Sequence, residues 1–318
     1  MADGLIERLL GQVVGRRREL ELVVAALAAD RHIVLEGPPG TGKSTLLRAV
    51  AHELGIGFEF VEGNAELTPA RLVGHFDPAR VLIDGYAPDV FVDGPLIAAM
   101  TSGALLYIEE INRIPEETLN VLITVMSEQE LHVPRFGKVA CAPGFRLVAA
   151  MNPFDAVGTA RISSAVYDRM CRLSMTYQSA TDEVAIVERG LEAHRNDRAG
   201  PTAVDARWIG LIVELVRRTR DHDDLRVGSS VRGALDAALV AATLAQLRGL
   251  PVENPSVGLD AAIVALSGRV RLREGSQRTS EGIITELWEA LFGRVTGDGD
   301  GDGDEGKDSA PIGATSSR

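Results

Sequence analysis

The sequence predicts an α/β protein in which a parallel five-stranded sheet is followed by a helical domain. Short apolar runs alternate with helical patterns over residues 1–178, and this alternation is typical of a parallel sheet with right-handed crossovers. The predicted strands are residues 32–35, 58–61, 104–108, 145–151 and 172–175. Over residues 179–295 the pattern contains helices only, so we expect a second, all-α domain there.

Helical spacing of apolar residues predicts the helices that separate these strands. In residues 16–29 the spacing puts Leu20, Val23, Val24 and Leu27 on one face. The other predicted helices of this domain are residues 45–54, 95–102 and 115–128, with a further helix that begins at Thr68-Pro69. The helices predicted for the second domain are residues 181–193, 204–220, 230–248, 259–268 and 280–292.

Two further segments predict small structures outside the main sheet. Residues 77–94 contain Pro, Gly and short apolar runs, including Val81-Leu82-Ile83, and predict a small hairpin or insert. Residues 130–140 have strand-like halves around a glycine-containing turn, which predicts a hairpin. Residues 296–318 are rich in Gly, Asp and Ser and lack core-forming side chains, so we expect a disordered acidic tail.

Composition excludes several classes of protein. The net charge of −12 argues against nucleic acid as the main partner. No apolar run approaches 18 residues, so no membrane span is expected, and without an apolar leader we expect a cytoplasmic protein. Cys141 and Cys171 lie in no metal-binding motif, and we expect both to be buried, reduced thiols.

One segment carries most of the functional information, because it fits the P-loop pattern G-x-x-x-x-G-K-[ST] between a strand and a helix. Its residues are Gly37, Pro38, Pro39, Gly40, Thr41, Gly42, Lys43 and Ser44, with Thr45 following in the helix. Such a loop holds phosphates on backbone N–H groups at a helix N-terminus. We therefore expect the segment to bind ATP, with Lys43 on the β- and γ-phosphates and Ser44 on Mg²⁺.

An acidic pair follows the third predicted strand. Glu109 and Glu110 come directly after the apolar run Leu105–Ile108, and ligands of open α/β sheets bind at the carboxyl ends of strands. Glu109 is the candidate acid for the metal, and Glu110 is the candidate base that activates water. The alternative is a pair of solvated glutamates at a strand end.

The acidic pair also carries a specific resemblance. The run Glu109-Glu110-Ile111-Asn112-Arg113 resembles the Walker B segment, usually D-E-I-N-R, of AAA+ ATPases of the MoxR type. The P-loop has the AAA+ form, and Asp93-Gly94-Pro95-Leu96 is similar to the insert before Walker B in this family. The resemblance implies an AAA+ αβα P-loop domain followed by a helical lid. Glu109 replaces the usual Asp, a change that bears on the affinity for Mg²⁺.

Three later segments extend the resemblance, in family order. They are Met151-Asn152-Pro153, similar to sensor 1; Tyr167-Asp168-Arg169-Met170, similar to the arginine-finger segment; and Gly228-Ser229-Ser230-Val231-Arg232-Gly233-Ala234, similar to sensor 2. The resemblance implies that Asn152 contacts the γ-phosphate or the attacking water, and that Arg232 reaches the γ-phosphate from the lid. Arg169 would act on the nucleotide of a neighbouring subunit, a role for which Arg161 is a rival.

The resemblance also implies a function. The expected reaction is Mg²⁺-dependent hydrolysis of ATP to ADP and phosphate by a homo-oligomer, a hexameric ring. The expected use is chaperone-like remodelling or activation of a partner protein, often one with a von Willebrand factor A domain. Candidate partner contacts on the predicted hairpin are Leu131, His132, Pro134, Arg135 and Phe136, and Gly15 is a candidate for the adenine pocket. The alternatives are a slow nucleotide-gated switch or scaffold, and a small-molecule P-loop kinase.

Overall fold

The computed structural model describes residues 2–153, 162–198 and 204–293. Its main feature is a sheet of five parallel strands, β1 (His32–Glu36), β2 (Phe58–Glu62), β5 (Leu105–Glu109), β8 (Arg146–Met151) and β9 (Met170–Ser174). Their order across the sheet is β2-β5-β8-β1-β9. The predicted α/β fold with its five-stranded parallel sheet is therefore confirmed.

Helices cover both faces of this sheet. The helices of this part of the chain are α1 (Ala2–Gln12), α2 (Arg17–Ala28), α3 (Lys43–Leu54), α4 (Pro69–Val73), α5 (Pro78–Asp84), α6 (Pro95–Ser102), α7 (Glu116–Glu128) and α8 (Ser164–Tyr167). Successive strand residues point to opposite faces: Leu35 packs in the core with α1, α2 and α3, whereas Val34 packs in the core with α4, α6 and α7. Strands buried on both faces explain the continuous apolar runs of the sequence.

The strand register brings the carboxyl ends of the central strands together. Glu36 at the end of β1 pairs with Met151 of β8 and with Ser174 of β9, and Glu62 of β2 pairs with Glu109 of β5. The loops that follow these strands therefore meet along a single edge of the sheet. This edge contains the P-loop and the acidic pair.

The C-terminal region is helical and has its own core. Its helices are α9 (Ala180–Arg198), α10 (Ala206–Asp221), α11 (Val231–Arg248), α12 (Pro255–Leu266) and α13 (Ser280–Phe292). Alanines of α11 and α12 are buried together with Trp208 and Trp288. The expectation of an all-α region was wrong in one detail, because β10 (Leu225–Val227) and β11 (Arg271–Leu272) form a short antiparallel pair. Strands of three and two residues are too short to show a periodicity of two in the sequence.

The insert before α6 differs from its prediction. β3 (Gly74–Phe76) pairs with β4 (Phe91–Asp93), whereas Val81-Leu82-Ile83 belongs to α5. The helix forms because Asp77 caps it, accepting hydrogen bonds from the backbone of Ala79 and Arg80. The hairpin of β6 (Glu130–Val133) and β7 (Gly137–Ala140) is confirmed.

The two cysteines are less buried than predicted. The thiols are free, but neither is buried: Cys141 is half-buried and Cys171 is exposed on β9, a strand at the edge of the sheet. The rival arginine Arg161 and the acidic tail 296–318 lie outside the described residues.

None of the helices in the described parts of the chain has the combination of length and apolarity needed to cross a bilayer.

Candidate nucleotide-binding site

The P-loop joins β1 to α3 and owes its shape to two glycines. Gly40 and Gly42 have φ values of 77° and 84°, in the left-handed region that glycine adopts most readily. Gly42 is the N-cap of α3, and its carbonyl accepts the first hydrogen bond of the helix, from Leu46. The loop therefore ends at a helix N-terminus, where free N–H groups favour an anion.

Lys43 lies at the centre of the charged groups. Its ammonium donates hydrogen bonds to the carbonyl oxygens of Gly37, at 2.8 Å, and Pro38, at 3.0 Å. Burial lowers the pKa of Lys43, the carboxylates of Glu109 and Glu110 oppose this shift, and the guanidinium of Arg232 adds to it. The structure thus brings three other predicted site residues, Glu109, Glu110 and Arg232, within electrostatic reach of Lys43.

A serine and a carboxylate converge beside Lys43. The hydroxyl of Ser44 donates to Glu109 Oε1 at 3.1 Å and lies 3.2 Å from the hydroxyl of Tyr107. Burial raises the pKa of Tyr107, so its hydroxyl stays protonated at neutral pH. Hydroxyl and carboxylate oxygens suit a hard cation such as Mg²⁺, which binds through one or two carboxylates together with waters and substrate phosphates.

The described ranges contain no group of three or more His, Cys, Asp or Glu side chains that could hold a metal ion. The contact between Ser44 and Glu109 fits a Mg²⁺ ion that arrives together with phosphates, because Mg²⁺ is usually bound through one or two carboxylates plus substrate phosphates. The longer side chain of Glu109, in place of the usual Asp, still reaches Ser44.

Glu110 sits in a strained backbone conformation at the end of β5. Its φ and ψ are 54° and 43°, in the left-handed region that few residues other than glycine adopt. A β-carbon on Gly63 would lie 2.5 Å from the Glu110 carbonyl oxygen, so Gly63 allows the close approach of the two segments. The Glu110 carboxylate forms a salt bridge with Arg113 at 3.3 Å. Strain of this kind is concentrated at functional sites.

Asn152 and Arg169 have different surroundings. Asn152 directly follows β8, and the preceding residue, Met151, accepts a hydrogen bond from the backbone of Gly37 at 3.1 Å. The backbone at Asn152 therefore lies next to the start of the P-loop. Arg169 donates to the Ser127 hydroxyl on α7 at 2.5 Å and to the carbonyl of Ala165 at 2.8 Å, so its guanidinium is held against α7 and α8 rather than among the charged groups around Lys43.

The helical region closes over the P-loop. A β-carbon on Gly40 would lie 2.2 Å from the hydroxyl oxygen of Ser230, the N-cap of α11. A cavity of about 340 Å³ lies between the two regions. Residues from both sides line it, among them Val13, Val14, Gly42, Thr45, Gln178, Ile186, Arg232 and Leu235. The volume is in the range of small-ligand pockets, and the apolar side chains suit a base beside the phosphate loop.

Arg16 is a site residue that the sequence reasoning missed. It is only 3% exposed, and one of its nitrogens donates to the carbonyls of Thr41, at 2.9 Å, and Thr176, at 2.6 Å. It also forms a salt bridge with Glu19 at 3.0 Å. The only signal in the sequence is its position just before α2. The neighbouring Gly15 packs on Asp182, whose carboxyl carbon would lie 2.3 Å from a β-carbon at that position.

These features define a class of protein: a nucleotide-binding P-loop protein with the AAA+ strand order. The profile of the AAA domain, dynein-related subfamily, matches residues 32–170. The chain is 28% identical over 255 residues to the protein MoxR of Methylorubrum extorquens, covering 80% of this chain and 64% of that protein. The chain belongs to the MoxR-type AAA+ ATPases.

Other similarities extend over as much of the chain or more. The protein YeaC of Bacillus subtilis, itself uncharacterised, is 27% identical over 309 residues, which are 90% of this chain and 92% of YeaC. A structure from Cytophaga hutchinsonii, provisionally described as an ATPase, covers 91% of this chain and 93% of its own with a TM-score of 0.50 and 20% identity. The match to the branch-migration motor RuvB of Thermotoga maritima covers 80% of this chain and 72% of RuvB, with a TM-score of 0.52 and 18% identity. These two structures show the fold.

Proposed function

We propose that the protein hydrolyses ATP to ADP and phosphate in a Mg²⁺-dependent reaction. The observation that carries this proposal is the contact of Ser44 with Glu109 at 3.1 Å, beside the buried ammonium of Lys43. A hydroxyl, a carboxylate and a lysine at the N-terminus of α3 are the groups that hold a metal-bound triphosphate. The cavity next to them supplies room for the nucleoside.

The phosphates are bound first. Free N–H groups at the start of α3 hold the β-phosphate, and Lys43 exchanges the carbonyls of Gly37 and Pro38 for phosphate oxygens. Ser44 and Glu109 would hold Mg²⁺, which, when bound, neutralises charge on the phosphate oxygens. The P-loop residues from Gly37 to Thr45 form the binding segment.

The chemical step follows from the position of Glu110. Its carboxylate accepts a proton as a water oxygen attacks the γ-phosphorus, and the bond from phosphorus to the β–γ bridging oxygen breaks. Asn152, at the start of the neighbouring loop, orients the water or the γ-phosphate. Arg232 reaches the γ-phosphate from the helical region, which acts as a lid. Its electrostatic effect on Lys43 supports this role.

An oligomer completes the site. Arg169 is held by Ser127 and Ala165, and we propose that it stabilises negative charge on the nucleotide of the neighbouring subunit. A ring, most simply a hexamer, gives every subunit such a neighbour. We divide each subunit into a nucleotide-binding domain of residues 1–178, a lid of residues 179–295 and a tail of residues 296–318.

The energy of hydrolysis would remodel or activate a partner protein, of which one with a von Willebrand factor A domain is our first candidate. The β6–β7 hairpin is the proposed contact, through Leu131, His132, Pro134, Arg135 and Phe136. The net charge of −12 favours a protein over nucleic acid as the partner. We place this activity in the cytoplasm.

One observation favours a second candidate, the slow nucleotide-gated switch. The carboxylate of Glu110 is paired with Arg113 at 3.3 Å, and a paired carboxylate is a weaker base than a free one. A ring in which this pair persists would bind ATP and assemble, yet turn over slowly. The rate of hydrolysis decides between the two candidates.

The first experiment is the steady-state ATPase rate against protein concentration for the wild type and for Glu110→Gln. A rate per subunit that rises with concentration and is lost in the variant is the expected result, because catalysis needs both Glu110 and a neighbour. A rate independent of concentration would reject a shared site. Turnover that stays slow at every concentration would favour the switch.

A further inference from the structure

A hydrogen bond connects the arginine-finger segment to the foot of the P-loop. The hydroxyl of Tyr167, the last residue of α8, donates to Glu36 Oε1 at 2.6 Å. Glu36 is the last residue of β1, is 2% exposed, and directly precedes Gly37. The contact joins residues 131 positions apart in the chain.

The same hydroxyl reaches a second strand of the nucleotide edge. It lies 3.9 Å from the sulfur of Met151, the residue before Asn152. The other oxygen of Glu36 is paired with Arg172 of β9 at 2.5 Å. The end of α8 is thus tied to the residues that precede both the P-loop and Asn152.

Fold stability alone does not require a carboxylate at this position. A buried carboxylate is costly unless it is hydrogen-bonded and paired, and β1 is otherwise a buried strand whose core residues are Ile33, Val34 and Leu35. Burial, with the hydrogen bond to Glu36 as a further cause, raises the pKa of Tyr167 to about 12. The hydroxyl therefore remains a donor throughout the physiological range.

We propose that Tyr167 is a positioning residue for Arg169, a proposal that rests on the proposed action of Arg169 in a neighbouring site. Arg169 follows Tyr167 by two residues, and its guanidinium donates to the carbonyl of Ala165 in α8. The direction in which the Arg169 guanidinium points therefore depends on the orientation of α8. By bonding to Glu36, Tyr167 fixes that orientation relative to the subunit's own P-loop.

The variant Tyr167→Phe tests this role, because it removes one oxygen atom and keeps the ring that packs on the core. A displacement of about 1 Å in a catalytic group can cost roughly 100-fold in rate. We expect kcat to fall by about 10- to 100-fold, with the ATP dissociation constant changed by less than about twofold. The matched control is Tyr86→Phe, at a tyrosine that is 53% exposed in the insert, for which we expect an unchanged basal rate.

A mixing experiment distinguishes action through Arg169 from action on the subunit's own site. Tyr167→Phe protein is mixed with an excess of Glu110→Gln protein, whose subunits lack the base but contribute an intact Arg169. If Tyr167 acts through Arg169, a Tyr167→Phe subunit beside a Glu110→Gln subunit regains its rate. We expect at least half of the lost rate per Tyr167→Phe subunit to return, after calibration against wild type mixed with the same excess.

The outcomes are separable. If Arg169→Ala is restored by Glu110→Gln protein and Tyr167→Phe is not, Tyr167 acts on its own P-loop or on Asn152, and this inference is overturned while the proposed function stands. If Arg169→Ala is not restored either, the action of Arg169 across subunits is rejected, and this inference with it. Equilibrium ATP binding by Tyr167→Phe shows that the variant is folded: a lost affinity together with a lost rate would also overturn the inference.

Discussion

Ser230 packs directly on Gly40, so closely that a β-carbon on Gly40 would lie 2.2 Å from the serine hydroxyl oxygen. Helix α11 begins at the next residue, Val231, and Arg232 follows in its first turn. The start of α11 therefore rests on the P-loop. When a ligand enters or leaves the P-loop, we expect the start of α11 to shift with the loop, since a packed contact leaves no room for one side to move alone.

Arg232→Ala is expected to weaken ATP binding by about 10- to 100-fold, the cost of about 1.5–3 kcal/mol for a hydrogen bond to a charged group. ADP binding should change little, because Arg232 is proposed to contact the γ-phosphate. Titration with fluorescent ATP and ADP analogues measures both affinities. The control is Arg226→Ala, at an exposed position of β10, and an equal loss for ATP and ADP would contradict a γ-phosphate contact.

Glu110→Gln is expected to lower kcat by roughly 10²- to 10⁴-fold, the usual effect of removing a general base. The amide keeps the shape of the side chain, so ATP affinity should remain within a few-fold of the wild type. Phosphate release and equilibrium binding measure the two quantities. Glu117→Gln, at an exposed glutamate of α7, is the matched control, and equal rates for the two variants would exclude Glu110 as the base.

Glu109→Ala is expected to raise the Mg²⁺ concentration for half-maximal turnover by about 10- to 100-fold, because a carboxylate that would help to hold the metal is lost. Glu109→Asp keeps the carboxylate and should stay within a few-fold of the wild type. A Mg²⁺ titration of the ATPase rate gives both values. If Glu109→Ala had an unaltered Mg²⁺ requirement, the assignment of Glu109 to the metal would be wrong.

Arg169→Ala is expected to lower kcat by roughly 10³- to 10⁵-fold, the range found for arginine fingers. Nucleotide affinity should be retained, because Arg169 contacts α7 and α8 rather than its own P-loop. Turnover and binding are measured on the same preparation, and sedimentation checks that the oligomer persists. Normal hydrolysis by this variant would reject Arg169 and leave Arg161 as the candidate.

The stability of the fold should fall in acid because of His32. Its buried ring accepts a hydrogen bond from the backbone of Leu147 at 2.9 Å, and burial lowers the pKa of His32 to about 4. The unfolded chain, with an ordinary histidine pKa of about 6.5, binds more protons between these values, so stability is complete above pH 6.5 and is lost as the pH falls toward 4.

Urea unfolding at pH 7 and pH 4.5 measures this effect. We expect the wild type to lose about 2 kcal/mol more than His32→Asn between these pH values, at about 1.4 kcal/mol per pKa unit. The asparagine oxygen can accept the hydrogen bond from Leu147 but does not titrate in this range. The same pH dependence in both proteins would show that His32 is not responsible.

Short-range patterns predicted the parts of the site that adjoin each other in sequence. The P-loop residues Lys43 and Ser44 lie at the start of one helix, and Glu109 and Glu110 lie at the end of one strand. Local spacing identifies such groups because the helix and strand dictate where they point. The parallel sheet then explains why the two groups meet.

Long-range partners could not be predicted in this way. Arg16 bonds to Thr176, 160 residues away, and Glu36 bonds to Tyr167, 131 residues away. Nothing in the local spacing of these residues specifies which distant loop they will meet, because that choice is made by the packing of whole elements. Helix α5 was missed for the opposite reason, since the Asp77 cap overrode the strand-like run that follows it.

The aromatic contacts of the insert have a mechanical consequence. The ring of Phe91 meets that of Phe76 edge to face, with centroids 5.1 Å apart, and packs at a tilt against that of Phe136, with centroids 4.5 Å apart. The guanidinium of Arg135 lies 3.9 Å from the centre of the Tyr86 ring. These contacts pack the insert against the β6–β7 hairpin. A force applied to the tip of the hairpin would be transmitted to the insert, so the two would move as one rigid unit. Breaking the contacts between them would weaken that movement without changing the nucleotide site.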